Sequence, residues 1–268
     1  MLNSAINSDP IPDEAVVRLS RDLAKAAATL SEDEARFLVD AYYTMQANRI
    51  RSAHQSRTLT EAEEPHEVLK WLTSNDMKLE RQIARALDIY SASKPLGEWA
   101  RSIRGIGPII AAGLLAHIDI EKAQTVSQIW RFAGLDPTRK WERGEKRPHN
   151  AALKTLCWKM GESFVKVKGS DDDIYGHIYD QRKTLEQEKN DRSEYAGQAA
   201  AMLKARPTHA QKAIYAQGKL PPGHLHARAK RYAVKMFLSH YWERGRTLAG
   251  LPVREPYPIA HLGHAHKI

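Results

Sequence analysis

The stretch Ile103-Arg104-Gly105-Ile106-Gly107-Pro108-Ile109-Ile110-Ala111-Ala112-Gly113-Leu114 decides how this chain folds. Apolar Trp99, Ile103 and Ile106 lead into it, and Gly105 and Gly107 offer backbone angles that residues with a Cβ avoid. Pro108 presets φ for a first helical turn. Ile109, Ala112 and Leu115 then return at helical spacing, while Ala111, Ala112 and Gly113 are small enough for another helix to come close. The stretch predicts two short helices joined by a Gly-Ile-Gly turn. The second helix begins with N–H groups that have no partner within it, which suits a phosphate oxygen.

Outward from the turn the pattern is helical throughout. Towards the N-terminus, residues 1–12 are polar and read as extended. Pro12-Asp13-Glu14 opens a helix carrying Val16, Val17, Leu19, Leu23 and Ala27 to about Thr29. Ser31, with Glu34 three residues on, forms a capping box for a second helix whose stripe is Phe37, Leu38, Ala41, Tyr42 and Met45. Residues 55–64 read as a polar loop. Pro65 starts a long helix to about Tyr90, with Val68, Leu69, Leu72, Leu79, Ile83, Ala86 and Leu87 near a 3.5 to 3.6 repeat. It could pack on the core or form a coiled-coil arm that pairs two copies of the chain.

Towards the C-terminus, Val126 to Ala133 is a short helix stopped by Gly134, and residues 136–149 form a basic loop with one aromatic, Trp141. Asn150 caps a helix with Leu153, Leu156, Cys157, Met160, Phe164 and Val165 inward. Residues 171–204 read as charged helix with a thin stripe of Ile174, Ile178, Tyr179 and Leu185, and Thr208 as the cap of another short one. A last helix, about 224–248, turns Leu225, Ala229, Tyr232, Ala233, Met236, Phe237 and Trp242 inward and Arg228, Lys230, Arg231, Lys235 and Arg244 away. The tail after Leu251 is extended by its prolines. No segment has strand period, so the expected class is all-α, a helical bundle. Its expected divisions are 1–64, 65–168 and 169–268.

Composition sets the partners. The chain has 268 residues and a net charge of +9. The basic charge is uneven: residues 135–168 hold nine basic and four acidic side chains and 201–268 hold twelve and two, while 169–200 are net negative at four basic and eight acidic. Such clustering fits a polyanion. A single cysteine, Cys157, excludes a disulfide framework and a thiolate zinc site. No apolar run or signal pattern points to a membrane, so a cytoplasmic, nucleoid-associated protein is expected. His224, His226, His261, His264 and His266, with Asp171 to Asp173, are the candidates for a metal site, but the acidic run reads as a helix start and terminal histidines as solvated. No metal and no cofactor is expected.

The Gly-Ile-Gly turn resembles the helix-hairpin-helix DNA-binding motif, which presents backbone amides to phosphates. The same pattern also suits a turn between core helices that touches no ligand. Three ordered blocks resemble more. Ile103 to Leu115, then Trp130-Arg131-Phe132-Ala133-Gly134-Leu135-Asp136-Pro137, then Lys146-Arg147-Pro148-His149-Asn150-Ala151-Ala152-Leu153-Lys154 look like the C-terminal domain of DEDD-type insertion-sequence transposases. That group includes Piv-like invertases and bridge-RNA-guided recombinases. The resemblance covers about 65–168 and implies DNA as partner; structured RNA is a further candidate, for the basic C-terminal region. It places the DNA contact at Arg104, Gly105, Ile106, Gly107, Pro108 and Ile109 of the turn, and at Arg139, Lys140, Arg143, Lys146, Arg147 and Asn150 of the basic block.

Two departures bear on chemistry. The family places a resolvase-like α/β domain with four metal-binding acids before this region, and residues 1–64 are too short for it and read helical. The family also uses a serine nucleophile between the second and third blocks. Between Ser127 and Ser163 the only hydroxyls here are Thr138 and Thr155. The expectation is a DNA-binding relative without the family's catalysis, with no catalytic residue assigned. An active recombinase, a metal-dependent nuclease and a helical module binding RNA are the alternatives.

Overall fold

The computed structural model describes residues 21–63, 67–138, 141–205, 208 and 210–254. The expected helix start at Pro12, the prolines after Arg254, Pro65, Arg139, Lys140, His261, His264 and His266 lie outside the described residues. Within them there are eleven helices and no strand, as the all-α expectation requires. They fall into two compact units divided between Ser93 and Lys94.

The first unit contains α1 (Arg21–Ala27), α2 (Glu32–Glu61) and α3 (Glu67–Ala92). Ser31 caps α2 through its hydroxyl, and the Glu34 carboxylate returns to the Ser31 amide at 2.8 Å. These bonds hold the Glu34 carboxyl below its usual range. No glycine or proline interrupts residues 50–61, so α2 continues through the stretch read as a loop. α2 and α3 run antiparallel: Arg49 meets the buried carboxylate of Glu80 at 2.6 Å, and the Ser93 hydroxyl donates to the Ala28 carbonyl.

The apolar stripes are only partly the predicted ones. Phe37 is 73% exposed; Ala35, Val39 and Ser52 form the buried side of α2. On α3, Ile83, Ala86, Leu87 and Tyr90 are buried, but Val68, Leu72 and Leu79 are exposed. A hairpin of two helices covers one seam, and small and ion-paired side chains fill it here, so the larger apolar residues beside it stay in solvent.

The second unit contains α4 (Pro95–Ser102), α5 (Pro108–His117), α6 (Val126–Phe132), α7 (Ala151–Val167), α8 (Ile174–Asp191), α9 (Ala196–Ala205), α10 (Lys212–Ala216) and α11 (Pro222–Leu248). α11 is its centre and packs against α4, α6, α7 and α8. Phe237 of α11 anchors an aromatic cluster with Trp99, Phe164, Tyr175 and Tyr241. A helix surrounded in this way cannot keep a basic face. Lys230 is buried and paired with Glu162, Arg228 pairs with Glu186 at 2.8 Å, and Lys235 lies 4.1 Å from the Trp130 ring centre. Arg246, also buried, donates to the carbonyls of Pro252, Ile120 and Ala123. Much of the basic charge expected to face outward from this helix is therefore engaged inside the fold.

The predicted stripe of α8 is corrected as well. Ile174 and Leu185 are exposed, and the buried residues are Tyr175, Tyr179, Glu186 and Asn190. Their polar atoms find partners: Tyr175 and Tyr179 hydroxyls meet Nδ1 of His240 and His226 at 2.7 Å, and the Asn190 carboxamide makes two bonds to the Leu220 backbone. Glu186 receives Arg182, Arg228 and the Tyr195 hydroxyl. Polar side chains with satisfied hydrogen bonds can line a core, and a hydrophobicity pattern does not register them. Residues 171–204 form two helices, α8 and α9. The residue preceding α10 is Gln211, not Thr208.

Candidate nucleic-acid interface

The turn is built as its sequence predicts, with one difference. Gly105 has φ +93°, and a Cβ there would lie 3.1 Å from the Phe164 ring and 3.2 Å from Val167. Glycine is required on both counts. Gly107 instead has φ −85° and ψ 173°, an extended conformation open to any residue, and nothing lies within 4 Å of where its Cβ would be. What Gly107 supplies is open space in front of the amides. Pro108 occupies the first turn of α5, and no side chain caps that helix. Ile106 is buried, so it anchors the turn and leaves only its backbone for a ligand. Arg104 is exposed and has no ion-pair partner among the described residues.

α7 holds the turn in place. The Ser163 hydroxyl donates to the Gly105 carbonyl at 2.6 Å. Further along, a Cβ on Gly113 would lie 2.7 Å from Leu156, so the small-residue face of α5 does allow close packing. These contacts make α5 antiparallel to α7, with the turn at the C-terminal end of α7.

The basic loop lies at the other end. Gly134, at φ +67°, ends α6, and the Leu135 amide returns to the Trp130 carbonyl. The loop closes where the Asn150 amide donates to the Phe132 carbonyl at 2.8 Å. The Asn150 side chain caps α7 by accepting from the Leu153 amide at 2.9 Å. Between these points Arg143, Lys146 and Arg147 are exposed. Arg143 and Lys146 have no ion-pair partner among the described residues, and Arg147 lies over the Trp141 ring. The Trp141 indole is held by the Glu145 carbonyl. His149 sits beside Lys154 and Arg147; burial first, then these charges, hold its imidazole below its usual pKa. Asn150 and Ser163 are thirteen residues apart on one helix, so turn and loop are separated by roughly 20 Å along α7. They are two contact points, not one continuous track.

Candidate nucleophiles are few. The Thr138 hydroxyl donates to Asp136 at 2.7 Å, which the sequence reading did not anticipate. That bond, with the Thr138 amide and Arg131, holds the Asp136 carboxyl below its usual range, a weak base for drawing off the proton. The Thr155 hydroxyl donates to the Ala151 carbonyl within its own helix. Cys157 is buried, and burial pushes its thiol up to about 12. Asp173 is the cap of α8 and accepts from the Gly176 amide. His226 is engaged by Tyr179, and no cluster of acidic, histidine or cysteine side chains among the described residues is arranged to hold a metal ion. No helix among them is long and apolar enough to cross a membrane.

Comparison with known families gives one finding. Residues 98–156 match the Transposase IS116/IS110/IS902 family, a span from within α4 to the start of α7. The second unit therefore carries a segment similar to the transposases of that family. Comparison with curated proteins and with solved structures gave no match.

Proposed function

We propose that the second unit is a DNA-binding module of insertion-sequence descent, gripping phosphate at two points and lacking the family's serine chemistry. The observation that carries this reading is that the matched segment, 98–156, contains both the uncapped start of α5 and the exposed Arg143, Lys146 and Arg147. At the turn, amides at Gly107 and Ile109 would meet one phosphate, with Arg104 beside it. At the loop, the cations would meet others about six base pairs away with α7 laid along the duplex, since each base pair advances about 3.4 Å along its axis. Contacts of this kind fix position on the nucleic acid and read no sequence. Against serine chemistry, the one hydroxyl between the second and third blocks, Thr138, has beside it only the Asp136 carboxylate, a weak base.

The experiment is binding of the purified protein to duplex, junction and single-stranded DNA and to structured RNA, at two salt concentrations, with a cleavage readout. Binding to unrelated duplexes with a steep salt dependence, and no covalent adduct with or without magnesium, is the expected result. A denaturation-resistant protein–DNA species that disappears in Thr138→Ala would make the protein a recombinase. Light scattering on the same samples tests self-association through residues 65–90, whose exposed Val68, Trp71 and Leu72 a second copy would bury.

A further inference from the structure

The solvent face of α7 carries an indole, that of Trp158. Trp158 is 60% exposed, more than any other large hydrophobic side chain described in the second unit. It lies one turn after Lys154 and two turns before Lys166, both exposed. α7 has three lysines and one acid, Glu162, whose charge is met by Lys230 of α11. The Lys230 ammonium also sits 5.7 Å from the Trp158 ring centre, which steadies the indole from one side and leaves the rest in solvent. Burial first, and then the charge of Lys166, hold the Lys159 ammonium below its usual pKa. The result is an exposed aromatic plate on a helix, with Lys230 against one side and lysines one turn before it and two turns after it along α7.

We propose that Trp158 is a stacking platform for an unpaired nucleobase, with Lys154 and Lys166 meeting the phosphates on either side of it. Every base has a π-face, and a plate among cations takes a single strand without reading its sequence. In a duplex the base faces are hidden by their neighbours, so the platform discriminates single from double strands. A protein partner matched to the apolar ring alone would leave the surrounding cations unpaired at the interface. The inference rests on the nucleic-acid reading above but concerns different residues.

The full-length protein is titrated into labelled fifteen-residue oligothymidylate, oligouridylate and a blunt fifteen-base-pair duplex, with anisotropy as readout. Trp158→Ala is expected to weaken single-strand binding roughly 5- to 100-fold while duplex binding stays within about twofold; Trp158→Phe, which keeps a π-face, retains most of it. The two single-strand arms separate DNA from RNA as the source. Unchanged single-strand affinity in Trp158→Ala, or an equal loss on the duplex, overturns the platform. The double variant Lys146→Ala with Arg147→Ala, run in parallel, reports on the phosphate grip alone: loss there with no effect at Trp158 leaves the grip standing and removes the platform. A wild-type protein that binds none of the three probes removes both. The Trp158 ring is exposed, so the alanine variant is expected to keep the wild-type circular dichroism and melting temperature.

Discussion

The Gly105–Ile109 turn and the 135–149 loop stand at opposite ends of α7 and are built in opposite ways. The turn offers backbone. Its shape is imposed from behind by Phe164, Val167 and the Ser163 hydroxyl, and its one inward side chain, Ile106, belongs to the core. The loop offers side chains. It is tied at its base by Asn150 and Phe132 and locally by Asp136 and Trp141, and Arg143, Lys146 and Arg147 are exposed. A site made of amides depends on packing for its geometry, whereas a site made of long cations depends on charge and tolerates imprecise placement. The turn should therefore be the fragile site and the loop the salt-sensitive one.

Gly105→Val should have the largest effect. Positive φ and two contacts near 3.1 Å together should cost roughly 2–4 kcal/mol, read as a fall in the denaturant midpoint. Retention of wild-type stability would mean that α7 does not dictate the turn. Next is Lys146→Ala with Arg147→Ala, which should lower affinity at least about tenfold on every sequence alike and reduce the salt slope by about two. A loss confined to one sequence would indicate base readout, and the loop would then be more than a charge site.

Gly107→Val should be milder. Its backbone is extended and the space around it empty, so stability should change by less than about 1 kcal/mol, while the added methyls stand in front of the amides and weaken binding several-fold. A folded variant with unchanged affinity would remove the turn from the interface and leave the loop alone. The smallest effect concerns His149. Its folded pKa lies below the ordinary value of 6.5. The neutral ring's contribution to stability is thus complete above that value and is lost as pH falls towards the folded pKa. Bound phosphate would raise the same pKa, so affinity should increase over the same interval as the pH drops. Titration of His149 by NMR, with and without duplex, checks both signs.

The elements that the sequence made legible share one property: their signals are local. The Ser31 and Asn150 caps, the Gly134 stop, the proline start of α5 and the Gly105 bend can each be read from a few neighbouring residues, and the structure has each in place, although the contacts that hold the Gly105 bend come from α7. The faces were less legible. Periodicity points Phe37 to the core, yet it lies in solvent, and it points Ile174 and Leu185 to a stripe that the structure builds from Tyr175, Tyr179 and Glu186. Hydrophobicity cannot reveal a buried carboxylate whose two arginines and tyrosine come from positions up to forty-two residues away. The Thr138–Asp136 bond was missed for a simpler reason, that a two-residue spacing in a loop has no periodic signature.

By itself the sequence determined the helical class, the Gly-Ile-Gly turn and the places where cations accumulate, because caps, glycine angles and charge are properties of short segments. The tertiary structure decided which cations remain for a ligand. The chain's basic residues are divided by folding: Lys230, Arg228, Lys235 and Arg246 are engaged by Glu162, Glu186, Trp130 and backbone carbonyls around α11, while Arg104, Arg143 and Lys146 meet no acid among the described residues. A buried charge must be paired or hydrogen-bonded to be tolerated, and only the packing of distant helices determines which charges those are.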